Sequence, residues 1–187
     1  MTLPTRTTAC IAGIALLAIA GCSTSNRAAR PTAATASPAT AEQKAALLDR
    51  VKSLQGTWEL PPHDGQPGRE IVFAVTSNGS VVREIMFPGS TEEMTNLYHM
   101  DGPTLVATHY CAIGNQPRMR AAAGGPNDPI DLKFDSVTNL SSADQMYMGG
   151  LKIVFVDKDH IEEHWTSYTG GKPDGHQMNP FQLSRKK

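Results

Sequence analysis

The chain has 187 residues, with 17 Lys and Arg against 18 Asp and Glu and a formal net charge of −1. That balance, with no basic stripe, argues against nucleic acid as a partner. The length allows one domain of ordinary size plus accessory segments, and three Cys are too few for a disulfide-stapled scaffold.

The first segment, Met1 to Arg6, carries one basic side chain, and an apolar run follows from Ala9 to Ala20. About a dozen residues match a signal-peptide hydrophobic region and fall short of the ~20 that span a bilayer as a helix. The run ends in Ile19-Ala20-Gly21-Cys22, which resembles the lipobox of bacterial lipoproteins. The resemblance implies cleavage before Cys22, a diacylated thiol and an acylated new amine, with palmitate a typical chain. Residues 1–21 are then a signal peptide, and the membrane is a partner through lipid. Ser23 in place of Asp implies, in Gram-negative members, transport to the outer membrane, facing the periplasm. Several acyl chains at ~0.8 kcal/mol per buried CH₂ make such an anchor permanent. With Cys10 removed and Cys22 capped, Cys111 is the one thiol left.

Ser23 to Thr40 is dominated by Ala, Thr, Ser and Pro, so residues 22–40 read as the anchor and a disordered tether. Residues 41–187 form the domain. Ala41 to Leu54 contains strong helix formers, with Ala45, Leu48, Val51 and Leu54 along one face, and Gly56 stands where a left-handed cap is expected. After that the period changes to two. Arg69 to Thr76 and Val81 to Phe87 flank an Asn78-Gly79 turn, and Met94 to Met100 and Thr104 to Cys111 flank Asp101-Gly102-Pro103. Ile130 to Val137 alternates cleanly. Leu151 to Val156 and His160 to Tyr168 flank Asp157-Lys158-Asp159, and Met178 to Ser184 is the last run. With the segment around Trp58, the pattern predicts an all-β antiparallel meander of about nine strands, closed as a barrel or folded as a sandwich, after one short helix. Residues 112–129 and 138–150 read as long loops, where function most often sits.

The segment Leu54-Gln55-Gly56-Thr57-Trp58 resembles the Gly-x-Trp signature that opens the first strand of calycins, the lipocalins and fatty-acid-binding proteins among them. The resemblance implies a small barrel in which Trp58 plugs one end and Arg185, after the last strand, packs over it as a cation–π partner worth about 1 kcal/mol. A second stretch, Asn96 to Leu105 continuing through Thr108-His109-Tyr110-Cys111 to Gly114-Asn115-Gln116-Pro117-Arg118-Met119, is similar to a group of uncharacterised bacterial secreted proteins and lipoproteins with lipocalin-like domains. It implies a fold and no activity.

His160-Ile161-Glu162-Glu163-His164 matches the H-x-x-E-H pattern of inverted zinc peptidases, which requires a helix. On a strand the two His lie ~13 Å apart and cannot share one zinc. His109 and Cys111 lie on one face of a strand, about 6.6 Å apart, which allows a thiol nucleophile with Asn115 or Gln116 as an orienting group. The bland alternative is a small core Cys and a hydrogen-bonded His. Asn115, Gln116 and Arg118 suit the reading of a carboxylate or other polar head at a barrel mouth, or simply a satisfied turn and an exposed ion pair. Tyr98, His109, Cys111, Asn115, Gln116 and Arg118 are the candidate ligand-binding set. Met86, Met94, Met100, Met146 and Met148 would give an adaptable apolar lining. The His are scattered; a single axial His for haem, His109 or His176, is not selected by any spacing. No catalytic residue, metal ligand or cofactor is assigned. The leading expectation is a non-catalytic envelope lipoprotein binding a small apolar or amphipathic molecule. The alternatives are a thiol enzyme, or a structural lipoprotein with a filled barrel.

Overall fold

The computed structural model describes residues 40, 42, 45–62, 65, 67–122, 124–176 and 178–187. Cys22, the expected signal segment and nearly all of the expected tether lie outside the described residues. Among the described residues no helix is long and apolar enough to cross a membrane.

The expected helix over 41–54 is described as a π-helical turn at Ala45–Asp49 that tightens into an α-helical turn, α1, at Arg50–Lys52. Leu47, Leu48, Val51 and Leu54 are buried, so the apolar face predicted from spacing is the face that packs. Gly56 does not cap this segment. It opens the first strand with φ +129°, and an added Cβ would sit 3.3 Å from Arg185 Nη1.

The strands are β1 (Gly56–Leu60), β2 (Arg69–Thr76), β3 (Val81–Met86), β4 (Met94–Asp101), β5 (Thr104–Tyr110), β6 (Gln116–Ala121), β7 (Ile130–Thr138), β8 (Tyr147–Phe155), β9 (His160–Thr169), β10 (Lys172–Pro173) and β11 (Phe181–Arg185). Each pairs antiparallel with the next from β1 to β9, then β9 with β11 and β11 back to β1. The result is a closed meander barrel of ten strands, with the two-residue β10 an extra pairing on the end of β9. Closure leaves no long unpaired edge.

Two differences from the sequence pattern concern the supposed loops. The first contains β6, where Pro117, Met119 and Ala121 are buried and Arg118 and Arg120 are not. Its alternation is disguised by a proline and an alanine at inward positions. The second is shortened because β8 starts at Tyr147, before the residue added at a bulge between Met148 and Gly150. Gly149 is that residue, and Tyr168 packs so closely over it that a Cβ would fall 2.5 Å from the ring. The Asn78-Gly79 turn is a four-residue loop, with Ser77, Asn78 and Gly79 all at positive φ.

The meander direction sorts the chain into two barrel ends. One end collects the helical segment, the start of β1 and the end of β11. The other collects the end of β3, the start of β4, the end of β5 and the starts of β8 and β11. At the first, Trp58 lies directly across from Arg185, whose guanidinium sits 4.3 Å above the indole. Trp58 Nε1 donates to Leu54 O at 2.7 Å, and Arg185 donates to Gln55 O at 2.8 Å and Ser53 O at 2.9 Å. The plug, the lid and the last carbonyls of the helical segment are thereby tied together. Between the ends, Ile71, Phe73, Val82, Leu105, Met119, Leu132 and Ile153 fill the middle.

Candidate functional site

Strand alternation sends residues 82, 84 and 86 of β3 inward, and the middle one is Glu84. The same rule sends Asn96 and Tyr98 of β4, His109 of β5, and Glu163 and Trp165 of β9 inward. All six are buried. Unpaired charge in such a place is costly, so these groups must satisfy one another.

They form one connected line. Tyr98 Oη donates to Glu84 Oε2 at 2.6 Å, and Asn96 Nδ2 donates to the same oxygen at 2.7 Å. Trp165 Nε1 donates to Glu163 Oε2 at 3.2 Å. The Glu84 and Glu163 carboxyls interact, and Oε1 of each is buried with no other partner, so a proton shared between them would satisfy both. Burial pushes Glu84 up to about 7 against the pull of Tyr98 and Asn96. Burial, and then the charge of Glu84, push Glu163 well above the usual carboxylate range. The pair therefore holds on to a proton that free carboxyls would have lost at neutral pH.

The amide of Asn96 fixes the next link. Its nitrogen is committed to Glu84, so its oxygen faces His109 Nδ1 at 2.7 Å and can only accept. His109 therefore carries its proton on Nδ1 and a bare lone pair on Nε2. The imidazole is 1 % exposed, and burial pushes its pKa down to about 4, so it is neutral. Nε2 is buried and has no hydrogen-bond partner. The His109 ring lines a cavity of about 60 Å³ together with Met86, Met94, Met148, Trp165 and Phe181. Met94, Met148 and Phe181 are only half-buried, so this end of the barrel opens toward solvent. The Trp165 ring lies 5.0 Å from the imidazole, centroid to centroid.

Of the sequence-derived ligand candidates, Tyr98 and His109 belong to this line and Cys111 lies beside it. Cys111 is part-buried just beyond β5, and its Sγ approaches Met94 Sδ at 4.0 Å. His109 has no hydrogen bond to it, because Nδ1 is held by Asn96 and Nε2 has no partner. No Cys–His dyad is assembled. Asn115 is buried in the β5–β6 turn and donates to Met146 O at 2.9 Å. Gln116 donates to Gly114 O and accepts from Thr138, so it braces the turn. Arg118 pairs with Asp135 at 3.6 Å across β6 and β7, away from the cavity. His160 and His164 point outward from β9 and pair with Asp157 and Glu162. Among the described residues no three His, Cys, Asp or Glu side chains converge on a metal position.

Glu84, Asn96 and Trp165 were not singled out from sequence, and Glu163 was named only within the zinc-peptidase pattern set aside above. A signal existed: a charged residue at an inward position between apolar ones, as in Val82-x-Glu84-x-Met86 and Ile161-x-Glu163-x-Trp165. No protein-family model matches the chain, and no curated protein matches it in sequence.

Proposed function

We propose that the protein is a lipid-anchored binding module of the bacterial cell envelope, held through Cys22 in the outer membrane and facing the periplasm. It takes a small ligand at the open end of its barrel and catalyses no reaction on it. The observation that carries the binding reading is His109 Nε2: a buried, neutral, unpartnered acceptor oriented from behind by Asn96 and Glu84. A barrel needing only a packed core would gain from an apolar residue there.

The volume at His109 sets the size of the occupant. About 60 Å³ admits a few atoms, whereas pockets for drug-sized or fatty ligands run to roughly 300–1,000 Å³. An apolar or amphipathic molecule has room outside, in a groove of about 330 Å³ between the end of β1 and the start of β11. Phe181 lines both the groove and the cavity, so the groove serves as an approach to His109. The calycin relationship is part of the same reading, supported by the ten-stranded meander and by Arg185 over Trp58.

The test is native mass spectrometry of the full-length protein extracted from its membrane in mild detergent. The expected species starts at an acylated Cys22 and carries a small non-covalent adduct that is lost in His109→Leu. An unprocessed N-terminus would overturn the anchor. An acylated chain with no adduct would favour a structural lipoprotein, a reading consistent with the filled middle of the barrel.

A further inference from the structure

The chemistry around His109 Nε2 is more specific than a small ligand. Three thioethers line the same cavity, and they come from three different strands: Met86 ends β3, Met94 begins β4 and Met148 lies at the start of β8. No carboxylate and no other hydrogen-bonding side chain lines it apart from the Trp165 indole. Hard divalent cations such as Mg²⁺ and Ca²⁺ need oxygen ligands, so this lining selects against them. Zinc also favours thiolate, imidazole and carboxylate over thioether. Thioether sulfur with imidazole nitrogen is the set that suits a soft monovalent d¹⁰ cation.

We propose that this cavity is a Cu(I) site, with His109 Nε2 and the sulfurs of Met86, Met94 and Met148 as ligands and the Trp165 indole beside the ion. The proposal rests on the reading of the open end as a ligand site. Three features support it beyond ligand type. His109 already has the tautomer a metal ligand needs, and the Nδ1–H···Asn96···Glu84 chain is the outer support that orients such a ligand. The about 60 Å³ of space suits a bare ion among side chains better than an organic molecule. The Trp165 indole lines the cavity and offers cation–π stabilisation, and a monovalent charge with neutral ligands carries the smallest desolvation cost. Access is provided because Met94 and Met148 are half-buried, and flexible thioethers can swing to admit the ion. Cys111, 4.0 Å from Met94 through sulfur, stands at the entrance.

The full-length acylated protein in detergent is titrated anaerobically with Cu(I) against a chromophoric Cu(I) chelator, and in parallel with Ag(I), which mimics Cu(I) without oxidising. The expected result is one ion per chain, a raised Tm with Ag(I), and quenching of Trp fluorescence that disappears in Trp165→Phe. His109→Gln should weaken Cu(I) at least 100-fold. Met94→Leu with Met148→Leu, a volume-conserving pair that keeps the fold, should weaken it at least 10-fold, whereas Cys111→Ser should change it less than about 5-fold, margins set by the 10–100-fold cost of disturbing metal-site groups. Copper X-ray absorption should show both nitrogen and sulfur neighbours. The proposal is overturned if no 1:1 binding occurs, if binding survives in the methionine double variant, or if Cys111→Ser alone abolishes it. An adduct at the open end in native mass spectrometry without Cu(I) or Ag(I) binding would sink the metal while leaving the ligand-site reading intact. Absence of both would remove the two together.

Discussion

The two ends of the barrel are built on opposite plans. At the closed end the buried indole nitrogen and the guanidinium over it are both hydrogen-bonded to backbone carbonyls. Trp58 fills the opening, Arg185 covers it, and the helical segment lays Leu47, Leu48, Val51 and Leu54 beneath. At the open end the packing residues are methionines, the aromatic Phe181 is half-exposed, and a buried imidazole nitrogen has no partner. Jigsaw packing specifies a fold, whereas adaptable side chains leave room for an occupant. Stability is therefore concentrated at one end and reserve binding capacity at the other.

The largest expected effect breaks the closed end. Trp58→Ala removes a fully buried indole, its hydrogen bond to Leu54 O and the seat of Arg185, and should cost about 4 kcal/mol. Urea denaturation followed by circular dichroism reads this directly. A loss below 1 kcal/mol would mean that the plug is not what holds that end together.

Between the ends lies the acid pair, and it predicts a sign for pH. In the unfolded chain both carboxyls titrate near 4.5; in the folded one burial pushes Glu84 up to about 7 and Glu163 well above its ordinary value. Their stabilising contribution is complete below pH 4.5 and is lost as pH rises through 7, because the folded state then binds the extra protons. His109 opposes this. Its folded value of about 4 against 6.5 unfolded gives a contribution present above 6.5 and lost as pH falls through 4. Tyr98, raised well above 10, stays protonated throughout. Between pH 4.5 and 6.5 the folded state holds extra carboxyl protons and lacks an imidazole proton, so the two effects oppose each other. Glu163→Gln can still accept from Trp165 and donate to Glu84 but cannot titrate. Its stability should fall less steeply with rising pH than the parent's, by up to about 1 kcal/mol per pH unit. Parallel curves from pH 5 to 7 would show that the pair shares no proton.

The closed end was the more legible of the two in the sequence, for a physical reason. Its parts are large, local or terminal: a Gly-x-Trp segment, a helix face at three-residue spacing, and an arginine just past the last apolar run. The hairpin signals and two-residue alternation likewise read through to the meander. The open end depends on residues that meet only when the barrel closes. Met86 and Met148 are 62 positions apart, and nothing local distinguishes them from core methionines. Glu84 and Glu163 sit in runs such as Val-Val-Arg-Glu-Ile and Ile-Glu-Glu-His, where the charge looks like an exposed face until strand phase is counted from the hydrophobic neighbours. β6 was hidden because Pro117 and Ala121 occupy inward positions with little hydrophobic signal.

A moderate effect is expected at Arg185. Arg185→Met keeps some of the packing on Trp58 but loses the cation–π contact and the bonds to Ser53 O and Gln55 O. The side chain is partly exposed, so solvent screens part of this, and the expected cost is about 2 kcal/mol. Hydrogen exchange should localise the loosening to the Leu54–Trp58 segment. Uniform loosening along all strands would argue that Arg185 acts through the whole core rather than as a lid.

The smallest effect is expected at Met148 and is the most informative about the division between the ends. Leucine conserves the volume of methionine, and the site lies at the half-buried edge of a cavity that is not tightly filled. Met148→Leu should therefore change stability by less than about 1 kcal/mol in the ion-free protein. A conservative change at the closed end behaves differently, because Trp58→Phe loses a buried hydrogen bond and should cost about 2 kcal/mol despite keeping a ring. If Met148→Leu proved as costly as Trp58→Phe, the thioether would be a packing residue and the contrast between the two ends would collapse. If it is neutral, nothing in the stability of the ion-free barrel requires sulfur at that position, and the reason for it must lie in what the cavity holds.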